Sequence, residues 1–269
     1  MSRSSKRRIA ILGGGSLGSA LARGWAAADM AKRKHIHVTR RHVSKLKALD
    51  DEGFMVGSDN AAAVAEATVV ILAVQPGHLK GVVEEIRPVL TAEKHLVISV
   101  ITGVALADLQ EMMPAGVPII RAMPNTAVQT MTSMTCLSMD DDESGREEAE
   151  TLFNAVGRSL VIDDDMMTPA TALCACGIAF FLRTIRAAAQ GGTEIGFHAE
   201  EALLLAAQTA RGAADLILES GAHPEDAIDR VTTPRGCTIA GLNELEHRGF
   251  SSAMIRGILT SSKRAEELG

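Results

Sequence analysis

The chain has 269 residues, 46% of them apolar and 22% charged, which excludes disorder as its main state and leaves room for one large domain or two ordinary ones. A formal net charge of -6 without any long basic stripe argues against a nucleic-acid partner. The longest nearly unbroken apolar run, 68–74, is too short to cross a bilayer, and the basic start at 3–8 carries no cleavage site, so a soluble, cytoplasmic protein with no membrane partner is expected.

Up to about residue 162 short β-branched runs alternate with stretches of helical spacing. The runs 9–12, 36–39, 68–74, 95–100, 117–122 and 160–162 read as strands, and 16–28, 43–52, 60–67, 77–87, 105–112 and 144–156 read as helices. Such alternation builds βαβ units and a mostly parallel, doubly wound α/β sheet. After Asp163-Asp164-Asp165 the strands stop and the chain turns to alanine, leucine and glutamate. Thr168-Pro169 reads as a helix start, and a long helix is expected from about His198 to Ser220, ending at Gly221. The expected domains are therefore 1–163, a nucleotide-binding sheet, and 164–269, an all-α unit.

On the long helix, Glu200, Glu201, Gln208, Arg211, Asp215 and Glu219 fall in one stripe about 100° wide, and most of the remaining circumference is alanine, leucine and isoleucine. A helix with so narrow a wet face needs cover on several sides. Association of subunits through this half is the expected solution.

Gly13-Gly14-Gly15-Ser16-Leu17-Gly18 fits G-x-G-x-x-G between a strand and a helix, the setting in which that spacing binds a dinucleotide. Gly13 permits the turn, Gly15 lets backbone approach a pyrophosphate, Gly18 lets helix and sheet pack closely, and N–H groups near Ser16 meet the anion. About twenty residues on, the second strand ends in Arg40-Arg41 rather than a carboxylate. A guanidinium pairs with a ribose 2′-phosphate that an acid would repel, which favours NADPH over NADH. Ala73-Val74-Gln75-Pro76 and the segment 99–103 end two later strands, where the nicotinamide should lie. Asn60 reads equally as an adenosine contact or a helix cap.

In the second half, Thr233-Pro234-Arg235-Gly236-Cys237-Thr238 leads into a helix. Unpaired N–H groups of Gly236, Cys237 and Thr238 would suit a carboxylate, with the Thr238 hydroxyl offering one further hydrogen bond; ordinary capping needs the same residue types.

The segment 233–242, with Leu245-Glu246 and Gly249-Phe250, resembles the signature of pyrroline-5-carboxylate reductases, as do Arg121-Ala122-Met123-Pro124-Asn125-Thr126, 72–76 and the closing 261–268. The resemblance implies an N-terminal Rossmann domain, a helical C-terminal dimerisation domain, and reduction of 1-pyrroline-5-carboxylate to proline, the last step of proline biosynthesis, with NADPH or NADH. By position it assigns the pyrophosphate to Gly13, Gly15, Ser16, Leu17 and Gly18, the adenosine ribose to Asn60, and the nicotinamide to Ala73, Val74, Gln75, Pro76, Met123, Pro124 and Asn125. It assigns the substrate carboxylate and ring nitrogen to Gly236, Cys237 and Thr238, with Thr238 as the candidate catalytic residue, in a homodimer or a larger ring of dimers. The chain departs from the family's pattern where Arg235 replaces a glycine, Gln75 a lysine, and Cys174-Ala175-Cys176 small residues.

A protonated cyclic imine needs no strong acid from the enzyme, in keeping with the absence of tyrosine and of any lysine between Lys94 and Lys263. Reduction of another imine, or a sensor that binds NADP(H) without turnover, are the competing readings. The Cys174/Cys176 pair is expected to be reduced and inert, its thiols on different helix faces and no metal bound. His198 and His223 stand at helix starts, Met123, Met131, Met134 and Met139 read as core filling, and the acidic run 140–143 reads as a solvated loop.

Overall fold

The computed structural model describes residues 7–140 and 143–267. Residues 3–6 of the basic start, Asp141 and Asp142 of the acidic run, and Leu268 of the closing segment lie outside them. Eight strands form one sheet: β1 (Ile9–Leu12), β2 (Ile36–Thr39), β3 (Met55–Gly57), β4 (Val69–Leu72), β5 (Leu96–Ser99), β6 (Ile119–Met123), β7 (Ser133–Met139) and β8 (Gly157–Val161). Their order is β3-β2-β1-β4-β5-β6-β7-β8. Pairing is parallel throughout except between β6 and β7. The helices α1 (Ser16–Ala27), α2 (Lys47–Asp51), α3 (Asn60–Glu66), α4 (Leu79–Ile86), α5 (Leu106–Met112) and α6 (Arg146–Asn154) cover its faces.

The strands sort their side chains strictly by parity. Ile9 and Ile11 of β1, Val69 and Ile71 of β4, and Leu96 and Ile98 of β5 enter one core with Leu21 and Trp25 of α1 and Leu152 and Phe153 of α6. Ala10, Leu12, Val70, Leu72 and Val97 enter the other, against α3, α4 and α5. Both faces are therefore covered, as a parallel sheet requires. Trp25 meets Phe153 edge to face with ring centroids 5.8 Å apart, and its Nε1 donates to the Leu152 carbonyl at 2.7 Å.

Two strands escape the pattern reading. β3 is a three-residue edge element. In β7 the buried positions include Ser133, Thr135 and Ser138, so a strand with five of its seven residues buried carries no long apolar run. The methionine expectation also needs correction: Met123 is buried, but Met131 is 42% exposed and sits in a left-handed conformation.

Two compact units emerge, one running through Ala175 and taking up the chain again from Ser262, the other Cys176–Ser261. The expected boundary at 163 thus falls inside the first unit. Asp164 explains why, because its carboxylate accepts from Arg121 Nη1 at 2.6 Å, Ser138 Oγ at 2.9 Å and the Leu106 N–H at 3.2 Å. Thr168-Pro169 lies in the first turn of α7 (Met167–Ala170), as expected; a 3₁₀ turn (Asp164–Met166) leads into it, and a π-helical turn (Thr171–Cys176) follows.

The second unit holds α8 (Gly177–Glu194), α9 (Ala199–Ser220), α10 (Pro224–Val231), α11 (Cys237–His247) and most of α12 (Phe250–Glu266). Gly192 of α8 lies against Ala202 of α9, where a Cβ would come within 3.1 Å of the Ala202 methyl. Ala202 is the buried residue of α9. Leu203, Leu205 and Leu216, all outside the polar stripe, are exposed, so these leucines of the apolar circumference deduced from the wheel lie uncovered on this chain. The continuous helical stretch Asp164–Glu194 is 31 residues long and apolar enough, by length and composition alone, to span a bilayer.

Candidate nucleotide site and candidate anion turn

The glycine turn stands between the ends of β1 and β4, where the strand order reverses, the place at which doubly wound sheets bind ligands. Thr39 at the end of β2 fixes it, its carbonyl accepting from the N–H of Gly13 at 3.1 Å and of Gly14 at 2.8 Å. Gly13 has φ +118°, and a Cβ there would meet the Ala73 carbonyl oxygen at 2.3 Å, so both conformation and space demand glycine. At Gly18 a Cβ would come within 2.2 Å of the Gly13 carbonyl oxygen. Gly15 has nothing within 4 Å of where its Cβ would be; its bare backbone faces open space. Gly15 is also the N-cap of α1, with no side-chain cap and no acid in the first turn. The positive end of α1 is thus left for an anion.

A cleft of about 480 Å³ opens beside this turn and gathers Gly13, Gly15, Arg40, Arg41, Asn60, Val74 and Gln75. Arg40 Nη1 donates to the Gly14 carbonyl at 2.9 Å, which ties the guanidinium to the turn. Asn60 does not cap α3; Asp59 does, accepting from the Ala62 N–H at 2.9 Å. Asn60 is instead fixed in the cleft, its Oδ1 accepting from Thr39 Oγ1 and its Nδ2 donating to Glu85 Oε2, both at 2.6 Å.

Other predicted residues stand elsewhere. Ser16 lines a neighbouring hollow with Arg23 and Met131, Leu17 packs on the core, and Pro76 opens a 3₁₀ turn. Met123 packs with Cys136, Met167 and Ala170 in a small third core, and Pro124 is buried. Asn125 caps a 3₁₀ turn through the Ala127 N–H at 3.0 Å, and its Nδ2 donates to the Cys174 carbonyl at 3.3 Å. Sequence reasoning missed Thr39, His42, His78 and Glu85 in the cleft. Position at the end of β2 or shortly beyond it signalled the first two; Glu85 reaches the cleft through helix packing alone.

In the second unit, Thr233-Pro234-Arg235-Gly236 forms a tight turn closed by the Gly236 N–H on the Thr233 carbonyl at 2.9 Å. That corrects the expectation of three free donors, since the Gly236 N–H is already used. Arg235 is exposed and has φ +62°, the left-handed value that a proline-started type II turn requires at its third position. Gly236 then caps α11 with no side-chain cap and no first-turn acid, so Cys237 and Thr238 head an open helix N-terminus. Among the described residues no group of three or more His, Cys, Asp or Glu is placed to hold a metal.

Comparison with known proteins sets this geometry in context. The chain is 43% identical to pyrroline-5-carboxylate reductase 2 of Dictyostelium discoideum, an alignment covering 98% of this chain and 93% of that one. The chain belongs to the pyrroline-5-carboxylate reductase family. Pyrroline-5-carboxylate reductase 1 of the same organism is 49% identical over 97% of this chain, which spans about half (49%) of that relative's length. Residues 164–268 match the family model for pyrroline-5-carboxylate reductase dimerisation, and 8–103 match that for NADP oxidoreductase coenzyme F420-dependent. The solved reductase of Coxiella burnetii is 29% identical with a TM-score of 0.89, covering 98% of this chain and 99% of that one. At 23% identity the Plasmodium falciparum pyrroline carboxylate reductase, solved with NADP bound, shares the fold, with a TM-score of 0.85 and coverage of 98% and 99%. The family's two parts therefore correspond to the open sheet and the helical half.

Proposed function

We propose that this chain reduces 1-pyrroline-5-carboxylate to proline with a nicotinamide cofactor, NADPH in preference to NADH, and that it acts as a homodimer. The observation that carries the reading is the kinship over nearly the whole chain, 43% identity to a reductase of which it covers 93%. The glycine turn supports the cofactor, since a Cβ is excluded at Gly13 and space is open at Gly15 beneath an uncapped helix. Arg40, tied to the Gly14 carbonyl, supports the 2′-phosphate. Uncovered leucines on α9, in the stretch that matches a dimerisation model, support the homodimer.

When bound, the reduced nicotinamide supplies the hydride that C5 of the protonated imine accepts. The chain's own work is placement and charge balance. The N–H groups of Cys237 and Thr238 hold the carboxylate, and the Thr238 hydroxyl orients the ring nitrogen. Thr39 and Glu85 fix Asn60 for the adenosine ribose.

Oxidation of NADPH, followed by absorbance with pyrroline-5-carboxylate beside a 2-keto acid and an acyclic imine, tests the reading. Turnover of the cyclic substrate alone is expected; turnover of the keto acid alone would overturn it. Thr238→Ala should lower kcat/KM by roughly one to two decades, the effect of one hydrogen bond lost to a bound polar group. Arg40→Glu with Arg41→Glu should weaken NADPH far more than NADH, and equal losses would refute the cofactor preference.

A further inference from the structure

The third core contains a feature that the reductase reading leaves unused. Cys136 on β7 is buried, and Cys174 in the π-helical turn is partly buried. Their sulfurs lie 3.9 Å apart although the residues are 38 positions apart in sequence. The Cys174/Cys176 pairing considered from sequence is therefore the wrong one to watch, because the partner of Cys174 comes from a strand that the apolar pattern concealed.

We propose that Cys136 and Cys174 form a reversible dithiol–disulfide site closed by an oxidant of the peroxide class. Exposure divides the labour between them. Cys174 can be reached from solvent, whereas Cys136, 4% exposed, can be reached only through its neighbour. The Cys136 thiol hydrogen on the Cys174 sulfur outweighs burial and brings the Cys174 thiol down to about 7. The same contact, with burial, pushes Cys136 up. Cys174 is then the attacking group and Cys136 the resolving one.

In the first step the Cys174 thiolate attacks one peroxide oxygen. The O–O bond breaks, hydroxide leaves and is protonated to water, and Cys174 becomes a sulfenic acid. In the second, the Cys136 sulfur attacks the Cys174 sulfur. The S–S bond forms, the S–OH bond breaks, and hydroxide departs with the Cys136 proton as a second water. Two thiols are oxidised and one peroxide is reduced to two waters. Closing the sulfurs to the roughly 2.05 Å of a disulfide would staple the π-turn to β7, beside the Asn125 amide that already holds the Cys174 carbonyl.

The test uses the full-length protein and hydrogen peroxide, and does not depend on the reductase activity. Treated and untreated samples are alkylated under denaturing conditions and mapped by mass spectrometry. Two of the four free thiols should be lost, with Cys136 and Cys174 peptides joined and both thiols recovered on reduction. Cys176→Ser should behave as the wild type, and Cys136→Ser should leave a Cys174 sulfenic acid that dimedone traps. Four alkylatable thiols after treatment would overturn the proposal. So would oxidation of Cys174 to sulfinic acid with Cys136 untouched, or a bond from Cys174 to Cys176, Cys237 or a second chain. The wild-type map decides the matter even if a variant does not fold.

Discussion

Gly13, Gly15 and Gly18 of the nucleotide turn should fail in different ways when each becomes alanine. At Gly13 and Gly18 the new methyl would stand 2.3 Å and 2.2 Å from backbone oxygens that cannot withdraw, so each substitution should cost about 1–3 kcal/mol of stability. Gly15→Ala meets nothing; its melting temperature should not move, while its Kd for NADPH should rise at least about tenfold, or ~1.4 kcal/mol. Calorimetry with and without NADPH separates the two outcomes, and a destabilised Gly15→Ala would remove the assignment of its open face to a pyrophosphate. Arg235 offers the reverse experiment. A left-handed arginine is strained by about 1–2 kcal/mol, and glycine loses part of that gain to its freer unfolded chain, so Arg235→Gly should stabilise by up to about 1 kcal/mol in urea. Histidine supplies the pH dependence. Burial holds His37 below the usual histidine range, against the pull of Glu66 and Asp59, and burial with Arg8, Lys34 and Lys32 does the same to His35. Below a pH of about 6.5 the unfolded chain takes up protons that the folded chain resists. Stability is therefore full above that value and falls as the pH drops through it toward the folded pKa. The urea midpoint should decline between about pH 7.5 and 5.5, and His37→Gln should flatten the decline; an unaltered slope would exonerate His37.

Among the elements, the strand alternation of the first half was legible because β-branched residues with period two, or in short apolar runs bounded by turn residues, pack well on a pleated sheet and poorly on a helix. What escaped were the short edge strand β3 and β7, whose buried serines and threonine show no strand pattern until β6 and β8 supply the neighbours that bury them. Its polar residues are not idle. Ser138 shares Asp164 with the buried Arg121, and this cluster draws the start of the helical half into the first unit. Asp164→Ala would strand Arg121, only 8% exposed against 33% for the aspartate side chain. A fully buried pair would cost more, but solvent at the carboxylate reduces the expected loss to about 2 kcal/mol. The fluorescence of Trp25, completely buried in the first unit, reports that unfolding directly; an unshifted midpoint would mean that water replaces the carboxylate without penalty.

For the molecule as a whole, the narrow polar stripe of α9 leaves leucines such as Leu205 and Leu216 49% and 61% exposed. Under the proposed association, Leu205→Asp with Leu216→Asp should convert a sedimenting dimer or larger species to monomer while leaving the Trp25 emission unchanged. An oligomer that persists would place the interface elsewhere. Residue order alone settles the sheet class, the glycine turn, the arginines at the end of β2 and the Pro234-started turn before α11, because each depends on local conformation that neighbouring residues dictate. Packing in three dimensions settles that Glu85 reaches the nucleotide cleft, that Asp164 belongs to the first unit, that the Gly236 N–H is consumed within its turn, and that Cys136 faces Cys174. These last facts are distances between segments or hydrogen bonds chosen among competing acceptors, and the order of residues along a chain does not fix either until packing has closed.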